Sequence, residues 1–127
     1  VVRGREKING FVPKIYRGEW FRSAAVVFVV CTDAGQLEAR FGGRGADLFA
    51  IQDTACAIDH LMLMAAEMGL GSCFVGAFDE DECRRYLNIP DSRRPVALVP
   101  VGEPAADTPK RPRKPINEVV TFAGEEE

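Results

Sequence analysis

Residues that hold metals are scarce in this chain. It has one histidine, His60, and its four cysteines (Cys31, Cys56, Cys73 and Cys83) stand 25, 17 and 10 residues apart with no C-x-x-C pair. A zinc site needs several such ligands close together, so no metal is expected. The cysteines read instead as buried thiols of a cytoplasmic protein. A surplus of positive charge is also lacking: 16 Lys and Arg against 19 Asp and Glu leave a net charge of −3. Nucleic acid is therefore offered no broad basic field. No uninterrupted apolar run reaches the length of a membrane span, and neither a signal-peptide pattern nor an internal repeat is expected. What is there, in 127 residues of which 46% are apolar and 28% charged, is the composition of one globular domain.

Glycine is present, but not in the order a dinucleotide site needs. That fingerprint places G-x-G-x-x-G between a strand and a helix. In GLGSCFVGAF, residues 69–78, Gly69 and Gly71 follow a helical pattern and precede an apolar run, and Gly76 falls too late for the spacing. Gly69 is placed instead to close the preceding helix in the left-handed conformation.

The chain opens VVRGREK with no initiator methionine. Two valines before Arg-Gly read as the end of a strand entering a turn, so the N-terminus is expected to be cut. Residues 5–21 carry Ile8, Phe11, Val12, Ile15 and Tyr16 at helical spacing, interrupted by Gly10 and Pro13, which predicts a short helix and then an irregular or second helical turn. AAVVFVVC, residues 24–31, is a strand apolar on both faces and so belongs inside a covered sheet. Residues 33–46 read as a loop around FGGRG. From Ala46 to Met68 runs a helix whose polar arc of roughly 120° holds Gln52, Asp53, Asp59, His60 and Glu67. The rest of its circumference is apolar and asks for neighbours on most sides, within its domain or at a subunit interface. SCFVGAF follows as a short strand, then a helix capped by Asp79 with Glu82 three residues on, a capping-box pattern. VALVPVG, residues 96–102, is a buried strand whose Pro100 points to an edge or a bulge. INEVVTF near the end reads as a strand without a local mate. The alternation argues for a mixed sheet covered by helices.

The run from GGRGADLFAIQD through GLGSCFVGAFD and RPVALVPVGEP to KRPRKPINEVV resembles the flavin-dependent nitroreductase family, over about Phe21 to Val120. The resemblance implies an α+β fold, homodimeric, with FMN bound at two sites in the interface. NAD(P)H reduces the flavin, and a nitroaromatic, quinone or related acceptor then takes two electrons in ping-pong order. Phe74 matches the position that packs on the flavin ring, and Gly76 and Ala77 match those whose amides point toward N5 and O4. Main-chain donors there stabilise the reduced, negatively charged cofactor, which itself carries the hydride. No catalytic side chain is therefore expected, and His60, on the polar arc of the long helix, reads as structural. Prolines 109, 112 and 115 hold the tail extended, so Arg111 and Arg113 share a face suited to a phosphate. Both match positions that contact the FMN phosphate.

By the same resemblance, residues 1–127 are a single domain, and the tail 104–127 crosses to the partner. The family's N-terminal Arg-Arg-Ser motif, the helix after it and most of the first strand have no counterpart here, so the chain reads as N-terminally truncated. A non-catalytic dimerisation or binding module that lost the full flavin site is the alternative function. Arg44 could meet a nicotinamide phosphate or an acidic substrate, although a flexible loop is the simpler reading. Asp53 and Asp59 read as solvated or paired charges and Cys73 as a buried strand thiol. The partners expected are a second copy and a small electron acceptor, with neither nucleic acid nor membrane.

Overall fold

The computed structural model describes residues 1–105 and 111–124. Four strands form one sheet in the order β1-β2-β4-β3: β1 (Val2–Arg3), β2 (Val26–Thr32), β3 (Gly71–Ser72) and β4 (Arg94–Gly102). The helices are α1 (Arg5–Asn9), α2 (Gly35–Phe41), α3 (Ala50–Glu67) and α4 (Glu80–Leu87). A π turn, Gly45–Phe49, leads into α3, and 3-10 turns occupy Glu19–Ser23 and Ile116–Glu118. The α+β class is as the sequence implies. All three strand pairings among the described residues are antiparallel, so the sheet has no parallel component there.

Alternation along the two long strands splits the core into two layers. Val27 and Leu98 face a cluster with Ile8, Phe11, Phe21 and Cys83. Ala97, Val99 and Val101 face Ile58 and Ala65 of α3. A strand buried on both sides must be apolar at successive positions, which is why β2 and β4 read as unbroken apolar runs. Val2 pairs with Val27 as the opening valines suggested. Segment 10–18 is held partly by Arg22, whose guanidinium donates to the carbonyls of Asn9 (2.9 Å) and Val12 (3.2 Å).

Two helix ends show how local sequence sets the chain's direction. Gly69 has φ 73; the Leu70 N–H donates to the Ala65 carbonyl (2.8 Å) and the Gly69 N–H to that of Ala66 (3.0 Å). This is a Schellman closure, and it turns the chain directly into β3. Asp79 caps α4 by accepting from the Glu82 N–H at 2.8 Å. Only half of the capping box forms. The Asp79 N–H is taken by the Ile15 carbonyl (2.9 Å), while the Glu82 carboxylate pairs with Arg85.

Four expectations are corrected. Residues 33–46 are not a simple loop, because Gly35–Phe41 form α2, ended by Gly42 at φ 63. INEVVTF forms no strand; it holds one 3-10 turn and is exposed throughout. Pro100 sits in β4, a central strand. Of the cysteines, Cys83 is buried, Cys31 and Cys73 are half-buried, and Cys56 is exposed.

Candidate functional site

Pro100 explains the shape of the segment that carries the candidate residues. Gly71 pairs with Gly102 and Ser72 with Val101, and Val75 is bridged to Leu98 by two hydrogen bonds of 2.9 Å. Cys73 lies opposite Pro100 and donates its N–H to the Pro100 carbonyl at 3.3 Å. Proline has no N–H to return, so the ladder loses one rung there. The expected strand of residues 72–78 is thus shortened, and the chain leaves the sheet after Val75. It then runs through Gly76, Ala77 and Phe78 to the Asp79 cap.

Gly76 and Ala77 are exposed, and neither N–H has an acceptor among the described residues. An added Cβ at Gly76 would meet only a ring carbon of Phe74, at 3.7 Å, so the space over this backbone is open. Phe74 is 47% exposed, an unusual position for a large apolar ring with nothing to cover it. Ala77 also lines a cleft of about 410 Å³ with Lys14, Ile15, Tyr16, Arg17, Phe78 and Asp79. Lys14 and Arg17 bring positive charge to the cleft that Ala77 lines. They were not legible as site residues, because the two stretches lie far apart in sequence and meet through the Asp79–Ile15 hydrogen bond and the shared core of Ile15, Val75 and Phe78.

Arg111 and Arg113 are exposed, and the Arg113 guanidinium donates to the Arg111 carbonyl (3.1 Å). The hydrogen bonds of residues 111–124, among the described residues, are all internal to that segment. Phe74, Gly76 and Ala77 lie on one stretch after β3, and no hydrogen bond among the described residues links Arg111 or Arg113 to them. Pro109, part of the expected extended motif, lies outside the described residues. His60, Asp53 and Asp59 are exposed on α3, away from both core layers.

The apolar circumference of α3 is only partly covered. Leu63 and Met64 are each 61% exposed and Met68 is 69% exposed. Beside them, Val26, Phe28, Leu61, Met64, Met68 and Leu70 line an apolar groove of about 420 Å³. By length and composition alone the helix from Gly45 to Glu67 could cross a membrane. Ile58 and Ala65 instead pack on the sheet, and Asp53, Asp59 and His60 interrupt the apolar surface.

The thiols separate by environment. Burial, with smaller contributions from Cys31 and Glu80, pushes the Cys83 thiol up to about 12, so it stays protonated at neutral pH. Cys56 on the open face of α3 should react first with a disulfide reagent, and Cys83 only after urea unfolds the chain. Peptide mass spectrometry reads the order; equal labelling of both in the folded chain would contradict this packing.

A family model described as the nitroreductase family matches residues 6–103. A protein of Methanothermobacter thermautotrophicus, named as a candidate NADH dehydrogenase/NAD(P)H nitroreductase, is 31% identical over 110 residues, covering 83% of this chain and 53% of that protein. The FMN reductase (NADPH) of Bacillus subtilis is 33% identical over 70 residues, 54% of this chain and 28% of its own length. The solved structure of NfrA1 from B. megaterium superposes with a TM-score of 0.80 at 26% identity, over 98% of this chain and 56% of that one. The chain spans about half the length, or less, of these relatives. With the family model covering most of its residues, the chain belongs to the nitroreductase family.

Proposed function

We propose that this chain forms the flavin-ring wall of an FMN-dependent oxidoreductase that uses NAD(P)H to reduce nitroaromatic, quinone or related acceptors by two-electron ping-pong transfer. The observation that carries the reading is the pair of exposed amides at Gly76 and Ala77, without protein acceptors, beside an open surface flanked by Phe74. FMN bound there would supply the hydride chemistry that no side chain of this segment offers. Gly76 and Ala77 would donate to the polar edge of the ring, and Phe74 would cover part of its face. Lys14 and Arg17, in the adjoining cleft, would favour the added negative charge of the reduced ring. Arg111 and Arg113 would take the phosphate by charge and forked geometry once the tail is drawn in.

A homodimer belongs to the same proposal. The exposed Leu63, Met64 and Met68 of α3, and Ile116, Val119 and Phe122 of the tail, all at least 60% exposed, are the kind of apolar surface that subunits bury. A cytoplasmic setting is also part of it, supported by four free thiols. The test is a fluorescence titration of FMN into the purified chain, with the mass in solution measured in parallel. Saturable quenching at micromolar FMN in a dimer is the expected result. A folded chain that binds no FMN at millimolar concentration would favour the dimerisation or binding module instead.

A further inference from the structure

A second cluster of chemistry-bearing side chains lies where α2 meets the π turn. The rings of Phe41 and Phe49 meet edge to face, with centroids 5.4 Å apart and planes at 82°. The Arg40 guanidinium lies over the Phe41 ring at 5.0 Å and that of Arg44 over the Phe49 ring at 5.5 Å. Phe41 is 45% exposed. Arg22, Arg84, Arg85 and Arg94 are all held in ion pairs. Arg40 and Arg44, by contrast, have neither an ion pair nor a side-chain hydrogen bond among the described residues. Their N–H groups are therefore unpaired beside a half-exposed aromatic ring.

The backbone holds this cluster in place. Gly42 turns the chain at φ 63, and its N–H donates to the Glu38 carbonyl at 2.7 Å. Gly45 is buried against α2, where an added Cβ would stand 2.1 Å from the Leu37 carbonyl oxygen. The two rings and the two guanidiniums are thus presented by a closed helical hairpin rather than a free loop, which reduces the ordering cost of binding. π turns also recur at functional sites.

We propose that Arg40, Phe41, Arg44 and Phe49 form a binding site for a planar aromatic monoanion, an aromatic carboxylate being the simplest. Phe41 takes the ligand ring by offset or edge contact. The guanidinium forks take the carboxylate. Residues 35–49 carry Arg40 and Arg44 against Glu38 and Asp47, a net charge of zero over the hairpin, which suits a singly charged ligand better than a polyanion such as a nucleoside triphosphate. That this ligand is the acceptor of the reaction rests on the function proposed above; its binding here does not.

The test titrates para-nitrobenzoate, and separately its neutral analogue para-nitrobenzamide, into the purified chain under amide-resolved NMR. Saturable shifts centred on residues 40–49 are expected with the acid. The amide should bind about tenfold more weakly, and the Arg40→Ala/Arg44→Ala double variant should weaken the acid by a similar factor. Phe41→Ala should weaken both ligands. Equal affinity for acid and amide, unchanged binding in the double variant, or shifts confined to residues 74–79 would each overturn the proposal. Because FMN binding is read separately by fluorescence, loss of this site leaves the flavin reading intact, and a chain that fails to bind FMN can still show these shifts.

Discussion

Phe21→Ala should lower the unfolding free energy of this chain by about 3–5 kcal/mol, the usual range for removing a fully buried aromatic side chain. Phe21 has no solvent exposure, and its ring is shared by three neighbours: Tyr16 at 5.2 Å, Phe11 at 5.5 Å and Trp20 at 6.0 Å. Truncation removes the burial and these aromatic contacts together, and each such pair is worth roughly 0.5–1.5 kcal/mol beyond area. The site cannot easily collapse, because Phe11 is itself held edge-on by Tyr86 at 5.5 Å. The net stability of a domain is about 5–15 kcal/mol, so one such loss takes a large share of it. Urea unfolding should show a lower midpoint with an unchanged slope. Trp20→Phe, at a half-exposed ring, is the contrasting variant and should cost well under a third as much. A Phe21→Ala effect below about 1 kcal/mol would mean that this layer is not the close-packed core described here.

The second large effect falls on cofactor binding. Ala77→Pro removes one N–H that has no acceptor among the described residues, so no hydrogen bond seen in the fold is lost with it. If that N–H donates to the reduced or oxidised ring, its loss should raise the FMN dissociation constant by about ten- to a hundredfold, the worth of a hydrogen bond to a charged or strongly polar acceptor. Gly76→Ala probes the space rather than the donor. Its added methyl meets only the Phe74 ring, so the fold should tolerate it, while a planar ligand lying against the backbone should not. Circular dichroism and the urea midpoint control for folding in both variants. Unchanged FMN affinity in Ala77→Pro would remove the main-chain donor from the proposal, even in a chain that binds flavin.

Much of the backbone path could be read directly from residue order. Gly69 after a long apolar helix, Asp79 ahead of a charged one, and β2 and β4 apolar at successive positions are local signals whose physics acts within a few residues. The block around GLGSCFVGAFD carried the family in the same way. The apolar side of the long helix also read as needing neighbours, and Met64 and Met68 on it are left open.

Other features depended on partners remote in sequence. Pro100 reads locally as an edge or bulge, yet it is tolerated in a central strand because its missing donor faces Cys73, just before the neighbouring chain departs. Whether GQLEARF coils into α2 was masked by the glycines that follow it. Those glycines end one helix and let the next approach, with Gly45 against Leu37. The cleft that joins Lys14 and Arg17 to Ala77, and the stacking of Arg40 and Arg44 on two rings, follow from packing between segments. Residue order determined the two long strands, the long helix with its glycine closure, the Asp79-capped helix and the family the chain belongs to, because those depend on short-range backbone and side-chain preferences. Only the tertiary structure decided which charges share the cleft that Ala77 lines, because a charge or a ring acts through space on whatever the fold brings near it.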